Sequence, residues 1–186
     1  MRIFTRVFIL AALLCGTASA APLGITSESA VAVQFGYQYQ PLSVLSISAS
    51  YETPFNIVSF IDTSVIARAG FSFAGGVDVS VGAKAVVFPS LSGGLLAAGV
   101  WADISGYSLG SSAGVFKAGL GPMLNINLEP LYVTFSLSLV SITNAYFGFD
   151  LGIAARYYLD AFALDLSVDY NTVGWARANF GVRFTL

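Results

Sequence analysis

Several residue types that common protein functions need are scarce in this sequence. It contains no histidine, one cysteine and only 10% charged residues, against about 25% in soluble domains. Histidine-dependent metal binding and hydrolysis are therefore excluded, and a single cysteine cannot form a disulfide framework. A net charge of −2 offers no basic surface for nucleic acid. We expect no enzyme, no cofactor and no nucleic-acid partner.

Hydrophobic residues, in contrast, are abundant. They make up 56% of the 186 residues, and the mean hydropathy is +0.77. Intrinsic disorder requires low hydrophobicity and high charge, so it is excluded. The composition indicates a membrane protein.

The first twenty residues have the pattern of an export signal. Arg2 and Arg6 form a positive start, residues 7–14 are apolar, and residues 18–20 read Ala-Ser-Ala, which is the small-residue pattern before a cleavage site. The apolar run is shorter than the roughly 17–25 residues of a membrane-spanning helix. We predict a signal peptide over residues 1–20, cleaved after Ala20, and one domain over residues 21–186.

The remaining chain has no long apolar run, and its hydrophobic residues alternate with small or polar ones. This period of two predicts β-strands. Ten segments are strand candidates: 31–39, 45–51, 65–73, 77–87, 95–103, 116–129, 131–139, 147–156, 162–169 and 177–186. Segment 95–103 is apolar on both faces, so its phase is unclear. Gly121-Pro122 either bends or splits its segment, and eight strands is the alternative count.

Ten charged residues of these strands lie on one face of the alternation. They are Arg68, Asp78, Lys84, Lys117, Asp150, Arg156, Asp165, Asp169, Arg177 and Arg183. Ten charges are too few for the surface of a soluble domain, whereas Arg or Lys facing lipid would cost about 2–4 kcal/mol at the bilayer midplane. We therefore expect the charges to line the lumen of a lipid-embedded barrel. Unpaired sheet edges are costly in hydrocarbon, so we predict an all-β, closed, antiparallel, up-and-down transmembrane β-barrel of about ten strands.

Aromatic residues fall near both ends of the predicted strands, as in interfacial aromatic belts. With periplasmic termini, the outer-end set is Tyr37, Tyr39, Phe71, Phe73, Trp101, Phe147, Phe149 and Tyr170. The periplasmic-end set is Tyr51, Tyr157, Phe162 and Phe184.

The last strand resembles the C-terminal assembly signal of small bacterial outer-membrane β-barrel proteins. Phe180, Val182, Phe184 and Leu186 alternate up to the final position, although members of that group usually end in Phe or Trp. The resemblance covers the whole mature chain by pattern. It implies a bacterial outer-membrane location, and outer-membrane lipid and the assembly machinery as partners.

Two hypotheses about the interior are equally supported by the sequence. One is a narrow, porin-like pore or carrier for small solutes, with transport properties set by the lumen charges. The other is a non-conducting structural or surface-interaction barrel with a packed, ion-paired lumen. Asp165 and Asp169 lie on one face, and we interpret them as neutralising lumen arginines rather than as a catalytic pair.

The predicted connections bear on the surface-interaction hypothesis. Adhesins act through long extracellular loops, and the longest outward connection, between Asp103 and Ser111, is short. The longest connection of all, Glu52 to Asp62, falls on the periplasmic side. Binding of a large partner is therefore less favoured.

Overall fold

The structure of this chain is a computed structural model. It describes residues 28–39, 44–55, 62–73, 76–91, 95–109, 115–142, 146–172 and 176–186. Among these, the side chains at 44, 62, 78, 86–91, 107–109, 115, 142 and 146 are outside the description. The predicted signal peptide lies outside the described residues.

Ten strands form one closed antiparallel sheet. They are β1 (Ala30–Tyr39), β2 (Val44–Pro54), β3 (Asp62–Ser72), β4 (Gly76–Leu91), β5 (Leu96–Leu109), β6 (Val115–Leu128), β7 (Leu131–Ile142), β8 (Tyr146–Tyr158), β9 (Ala163–Asn171) and β10 (Ala176–Thr185). Each strand pairs with its neighbour in sequence, and β1 pairs with β10 to close the barrel. The predicted barrel is confirmed, with ten strands rather than eight.

Side chains alternate between the outside and the interior along each strand. In β1, Phe35 is 57% exposed, whereas the neighbouring Gln34 is 7% exposed. The same alternation in β9 exposes Leu166 and Val168 and buries Asp165, Ser167 and Asp169. Successive side chains of a strand point to opposite faces. The outside is therefore apolar and the interior polar.

Both described chain ends lie at the same end of the barrel. Ala30 pairs with Thr185, and the Leu186 N–H donates to the Ser29 carbonyl at 2.9 Å. We call this end the inner end and the opposite one the outer end. Phe180 and Phe184 of the C-terminal strand are exposed on the outside, as is Leu186, while Val182 is half-buried.

The Gly121-Pro122 pair does not split its strand. β6 continues through it, and Leu120, Pro122 and Leu124 all face outward. The ladder to β7 nevertheless skips two residues, because Leu120 pairs with Leu139 and the next pair joins Met123 to Ser136. Proline has no N–H to donate to a ladder, so this irregularity is a local interruption within one long strand.

Several strands run further than predicted, and three of these extensions change a predicted strand end or connection. β4 continues past Pro89 to Leu91, with register shifts after Val86, and such irregularities accommodate proline near a strand end. The predicted connection between Asp103 and Ser111 is largely strand, since β5 ends at Leu109. β2 includes Glu52 and ends at Pro54, which shortens the predicted connection up to Asp62. Residues 56–61 of that connection lie outside the described residues.

An arginine on the outer face provides a direct test of lipid exposure. Leu151 lies near the middle of β8 and is exposed, and Leu159, also exposed, directly follows the strand. We expect Leu151→Arg to lower the unfolding free energy in lipid vesicles by about 2–4 kcal/mol, and Leu159→Arg by about 0–1 kcal/mol. Urea titration of vesicle-inserted protein measures both. Equal, small effects at the two positions would show that the outer face does not contact hydrocarbon.

Candidate functional site: a polar barrel interior

The barrel interior contains most of the charged side chains that the structure describes. All six Lys and Arg side chains within the described ranges occupy the inward face of their strands: Arg68, Lys84, Lys117, Arg156, Arg177 and Arg183. Except for Arg68, which is half-buried, each is 2–3% exposed. Asp165 and Asp169 are buried and Asp150 is half-buried, all on the same face. Asp78 belongs to β4, but its side chain lies outside the description.

An inner cluster of five charged residues occupies the inner half of the lumen: Glu52, Lys84, Arg156, Asp165 and Arg183. Glu52 Oε1 lies 2.7 Å from Lys84 Nζ, and Glu52 Oε2 lies 2.9 Å from Arg183 Nη1. The Ser64 hydroxyl donates to Glu52 Oε1 at 2.9 Å. These contacts connect β4, β3, β2 and β10 through one carboxylate.

Arg156 and Asp165 form the second part of the inner cluster. The guanidinium donates two hydrogen bonds to the carboxylate, from Nε at 2.7 Å and from Nη2 at 3.0 Å. Both residues face each other directly in the register of β8 and β9. Bidentate pairing fixes the geometry of both groups. Arg156 and Asp165 lie on the β10 side of the β1–β10 seam, and the Arg183–Glu52 ion pair crosses that seam. The inner cluster therefore contains residues from both sides of it.

An outer cluster of six charged residues occupies the other half of the lumen: Arg68, Asp103, Lys117, Asp150, Asp169 and Arg177. Lys117 Nζ lies 2.7 Å from Asp150 Oδ2, and the Asn171 amide also donates to Asp150. Arg177 faces Asp169 in the register of β10 and β9. Asp165 and Asp169 thus lie in different clusters and each faces an arginine on the neighbouring strand.

Buried polar atoms without a hydrogen-bond partner are more numerous in the outer half, whereas the inner cluster has one, Glu52 Oε2, which is ion-paired with Arg183. Gln38 Oε1 accepts a hydrogen bond from Arg177 Nη2 at 3.3 Å, but Gln38 Nε2 is without a partner among the described residues. The same is true of Asp103 Oδ2, Ser105 Oγ and Asp169 Oδ2. Buried polar groups are normally hydrogen-bonded to protein or water. These four atoms are exceptions to that rule among the described residues.

Trp101 lies inside the barrel, so its predicted place in the outer aromatic belt is wrong. It is 5% exposed and packs against Met123, Ile66 and Ala97. Its ring lies where a Cβ on Gly82 would be, so only glycine fits opposite it. The other belt residues named above, apart from the half-buried Phe162, are exposed on the outside. Trp101 was misassigned because the apolar residues on both faces of 95–103 concealed the phase.

Sequence reasoning missed Glu52 and Asp103 as interior charges. Glu52 extends the inward series of Ser46, Ser48 and Ser50 by one step, but it lies just beyond the predicted segment 45–51, whereas β2 continues to Pro54. Asp103 shares the inward face of β5 with Trp101 and Ser105. It could have been assigned only after the phase of β5 was known.

A groove of about 530 Å³ lies in the barrel wall beside Pro122, but most of its lining faces outward. Leu124, Phe135, Leu151 and Val168 are among the lining residues. Exposed apolar residues of this kind contact the surroundings of the barrel rather than its lumen. The groove is therefore separate from the charged interior.

Membrane-spanning helices and metal-binding groups are both absent from the described ranges. The described ranges contain no helix that is long and apolar enough to cross a membrane. Within the same ranges, three or more His, Cys, Asp or Glu side chains nowhere group in a way that could hold a metal ion.

Comparison with known proteins identifies the fold. No family model matches this chain, and no curated protein matches it. A NanC porin matches with a TM-score of 0.52 at 11% identity, covering 84% of this chain and 100% of the other. A KdgM porin in complex with oligogalacturonate matches with a TM-score of 0.51 at 8% identity, covering 84% and 99%.

An outer membrane channel from Pseudomonas putida F1 is also similar. Its TM-score is 0.50 at 10% identity, and the match covers 91% of this chain and 99% of the other. At such low identities the similarity is one of fold. The chain has the closed β-barrel fold of these bacterial outer-membrane porins, and the predicted resemblance to small bacterial outer-membrane β-barrel proteins is confirmed.

Proposed function

We propose that this protein resides in the outer membrane of a bacterial cell and passes small polar solutes through a narrow lumen. The observation that carries the proposal is the segregation of charge. All six described cations face the interior, while the outside is apolar. This distribution suits a barrel surrounded by lipid, and the porin fold of its structural neighbours supports it.

The lumen is narrow because large side chains cross it. The inner cluster joins β2 to β4 and β10 through Glu52, and Trp101 with Met123 fills space on the β5–β6 side. Small residues line other parts of the wall, among them Gly152 and Ala154. We infer a constricted passage rather than a wide aqueous channel.

A non-conducting barrel is the second candidate, and one observation favours it. Glu52, Lys84 and Arg183 are only 1–3% exposed, so water reaches them very little in this conformation. If these contacts never open, the inner cluster serves only to hold the strands together. Both candidates are non-enzymatic, in line with the missing histidine.

Export and assembly form part of the same proposal. We propose that residues 1–20 are a signal peptide cleaved after Ala20. We further propose that the assembly machinery reads the outward-facing Phe180, Val182, Phe184 and Leu186 of the C-terminal end. The exposure of Phe180, Phe184 and Leu186 on the outer face supports access by another protein during insertion.

Single-channel conductance in planar bilayers distinguishes the two candidates. The wild-type protein is expected to give small, brief openings that favour anions, because the inner cluster has three cations and two carboxylates. Trp101→Gly should raise the conductance several-fold by removing the ring that covers Gly82. Arg183→Gln should abolish the anion preference, because the inner cluster then has two cations and two carboxylates. Glu52 still has Lys84 as its ion-pair partner in this variant.

The controls test whether any current belongs to the lumen. Leu159→Arg, outside the barrel interior, should leave conductance and selectivity unchanged. If folded wild-type protein and folded Trp101→Gly both carry no current and admit no sugar into liposomes, the non-conducting candidate is correct.

A further inference from the structure

We propose that the groove beside Pro122 holds one acyl chain of a membrane lipid, with the lipid headgroup next to Tyr170. This inference rests on the membrane location in the proposed function, and it concerns the outside of the barrel rather than its lumen. The groove has a volume of about 530 Å³ and crosses neighbouring strands from Ala98 on β5 to Val168 and Tyr170 on β9. It therefore offers space on the face that lipid would cover.

Two rows of outward-facing side chains form the sides of the groove. In the first row, Leu124 pairs with Phe135, and Phe135 pairs with Ile153. In the second row, Leu137 pairs with Leu151. All five residues line the groove. The rows are two residues apart along each strand, which corresponds to about 7 Å, and the four interstrand steps from β5 to β9 span about 19 Å. The space between the rows is therefore long and narrow.

The floor of the groove is formed by backbone. Met123 pairs with Ser136, and Ser136 pairs with Gly152, between the two rows. The side chains of Met123 and Ser136 face the interior and Gly152 has none, so these residues present backbone atoms to the outside. The ladder between β6 and β7 also skips Pro122 here, because proline has no N–H to donate. A depression therefore remains between the rows.

The lining of the groove matches uncharged hydrocarbon. None of the lining residues is charged, and Tyr170 carries the only hydroxyl among those that face outward. Tyrosine is typical of the interface between membrane and water, and Tyr170 lies near the outer end of β9. A chain in the groove is favoured over bulk lipid by van der Waals packing, because lipid tails are themselves apolar. The headgroup is therefore expected at the outer end and the chain terminus near Ala98.

A second copy of this chain does not suit the groove. The space between the rows covers about 130 Å², taken as 19 Å by 7 Å, whereas a stable protein interface needs about 1,000 Å². The wall of a barrel is also convex and cannot enter a narrow groove. A single extended hydrocarbon chain has the shape and the chemistry that the groove requires.

Native mass spectrometry of the folded barrel tests this proposal. The protein is stripped of lipid in detergent and titrated with palmitoyl-oleoyl phosphatidylethanolamine, and one lipid per barrel should bind saturably. Leu137→Trp places a larger side chain in the middle of the groove and should abolish this binding. Leu139→Trp is the matched control, because Leu139 is exposed on the same face of β7 but does not line the groove. It should bind lipid like the wild type.

Two alanines on β5 provide a second matched pair with a smaller change to the wall. Ala98 lines the inner end of the groove, whereas Ala102 lies four residues further on the same face and outside it. Ala98→Phe should weaken lipid binding about tenfold, which is the effect of about two fewer buried methylene groups. Ala102→Phe should leave binding unchanged.

Four outcomes would overturn the inference. They are no saturable binding by the folded wild type, equal binding of several lipids in all variants, a dimer in place of a lipid adduct, and saturation with free palmitate but not with the phospholipid. Insertion into vesicles, by flotation, and current in planar bilayers are measured separately. A barrel that inserts and conducts without holding a lipid refutes this inference alone, whereas lipid binding without current refutes only the proposed passage.

Discussion

Replacing Glu52 by glutamine is expected to lower the free energy of unfolding by about 3–5 kcal/mol, the usual cost of removing one partner from a buried ion pair. Glu52 is 1% exposed and contacts both Lys84 and Arg183. Its neutral replacement leaves two cations in the same interior without a carboxylate between them. Urea-induced unfolding of the vesicle-inserted barrel measures the loss.

Two further variants separate this effect from a general loss of charge. Glu129→Gln, in the exposed β6–β7 turn, should change stability by less than about 0.5 kcal/mol. The triple variant Glu52→Leu, Lys84→Met, Arg183→Met should recover most of the lost stability, because apolar replacement of a complete buried ion network is often neutral or stabilising. A Glu52→Gln protein as stable as Glu129→Gln would contradict the assignment of Glu52 as the centre of the inner cluster.

Gly121→Ala is expected to be the most damaging conservative substitution in a strand, costing about 3 kcal/mol or preventing insertion. A Cβ at Gly121 would overlap the Leu137 carbonyl oxygen and lie 2.7 Å from Ser138 Cα. These are backbone atoms of β7, which is paired with β8 along its length. They cannot move without disturbing a second ladder.

Gly106→Ala is the matched control on the neighbouring strand β5. A Cβ there would lie 3.4 Å from the Phe116 ring, which is close to an ordinary contact with a side chain. Its unfolding free energy should stay near that of the wild type, because glycine itself weakens a strand. Equal urea midpoints for the two alanine variants would refute the close approach of β6 and β7 at the ladder interruption.

Much of the fold follows from the sequence because side-chain alternation is a local property of extended backbone. The direction of each side chain depends only on its position within its strand. Apolar and polar faces could therefore be assigned for nine of the ten segments before any partner strand was known. The inward and outward faces of segment 95–103 could not be assigned because both are apolar. For the same reason, Trp101 was predicted on the outside of the barrel, which is wrong.

The candidate site was less accessible to sequence reasoning, because its contacts join distant parts of the chain. Lys84 and Glu52 are 32 residues apart, and Arg183 reaches the same carboxylate from the last strand. Which charges meet depends on strand order and register. Neither the two clusters nor the unpartnered atoms of Asp103 and Asp169 could be read from alternation.

The sequence by itself determined that this chain forms a closed barrel with an apolar outside and a polar interior, since scarce charge must avoid hydrocarbon and sheet edges must pair there. Only the tertiary structure decided how that interior is divided. Closure of β1 on β10 brings Arg183 to Glu52 and so connects the first and last parts of the chain within the inner half. In the outer half, Gln38 Nε2, Asp103 Oδ2, Ser105 Oγ and Asp169 Oδ2 stay without a hydrogen-bond partner among the described residues, because strand order and register decide which polar groups meet.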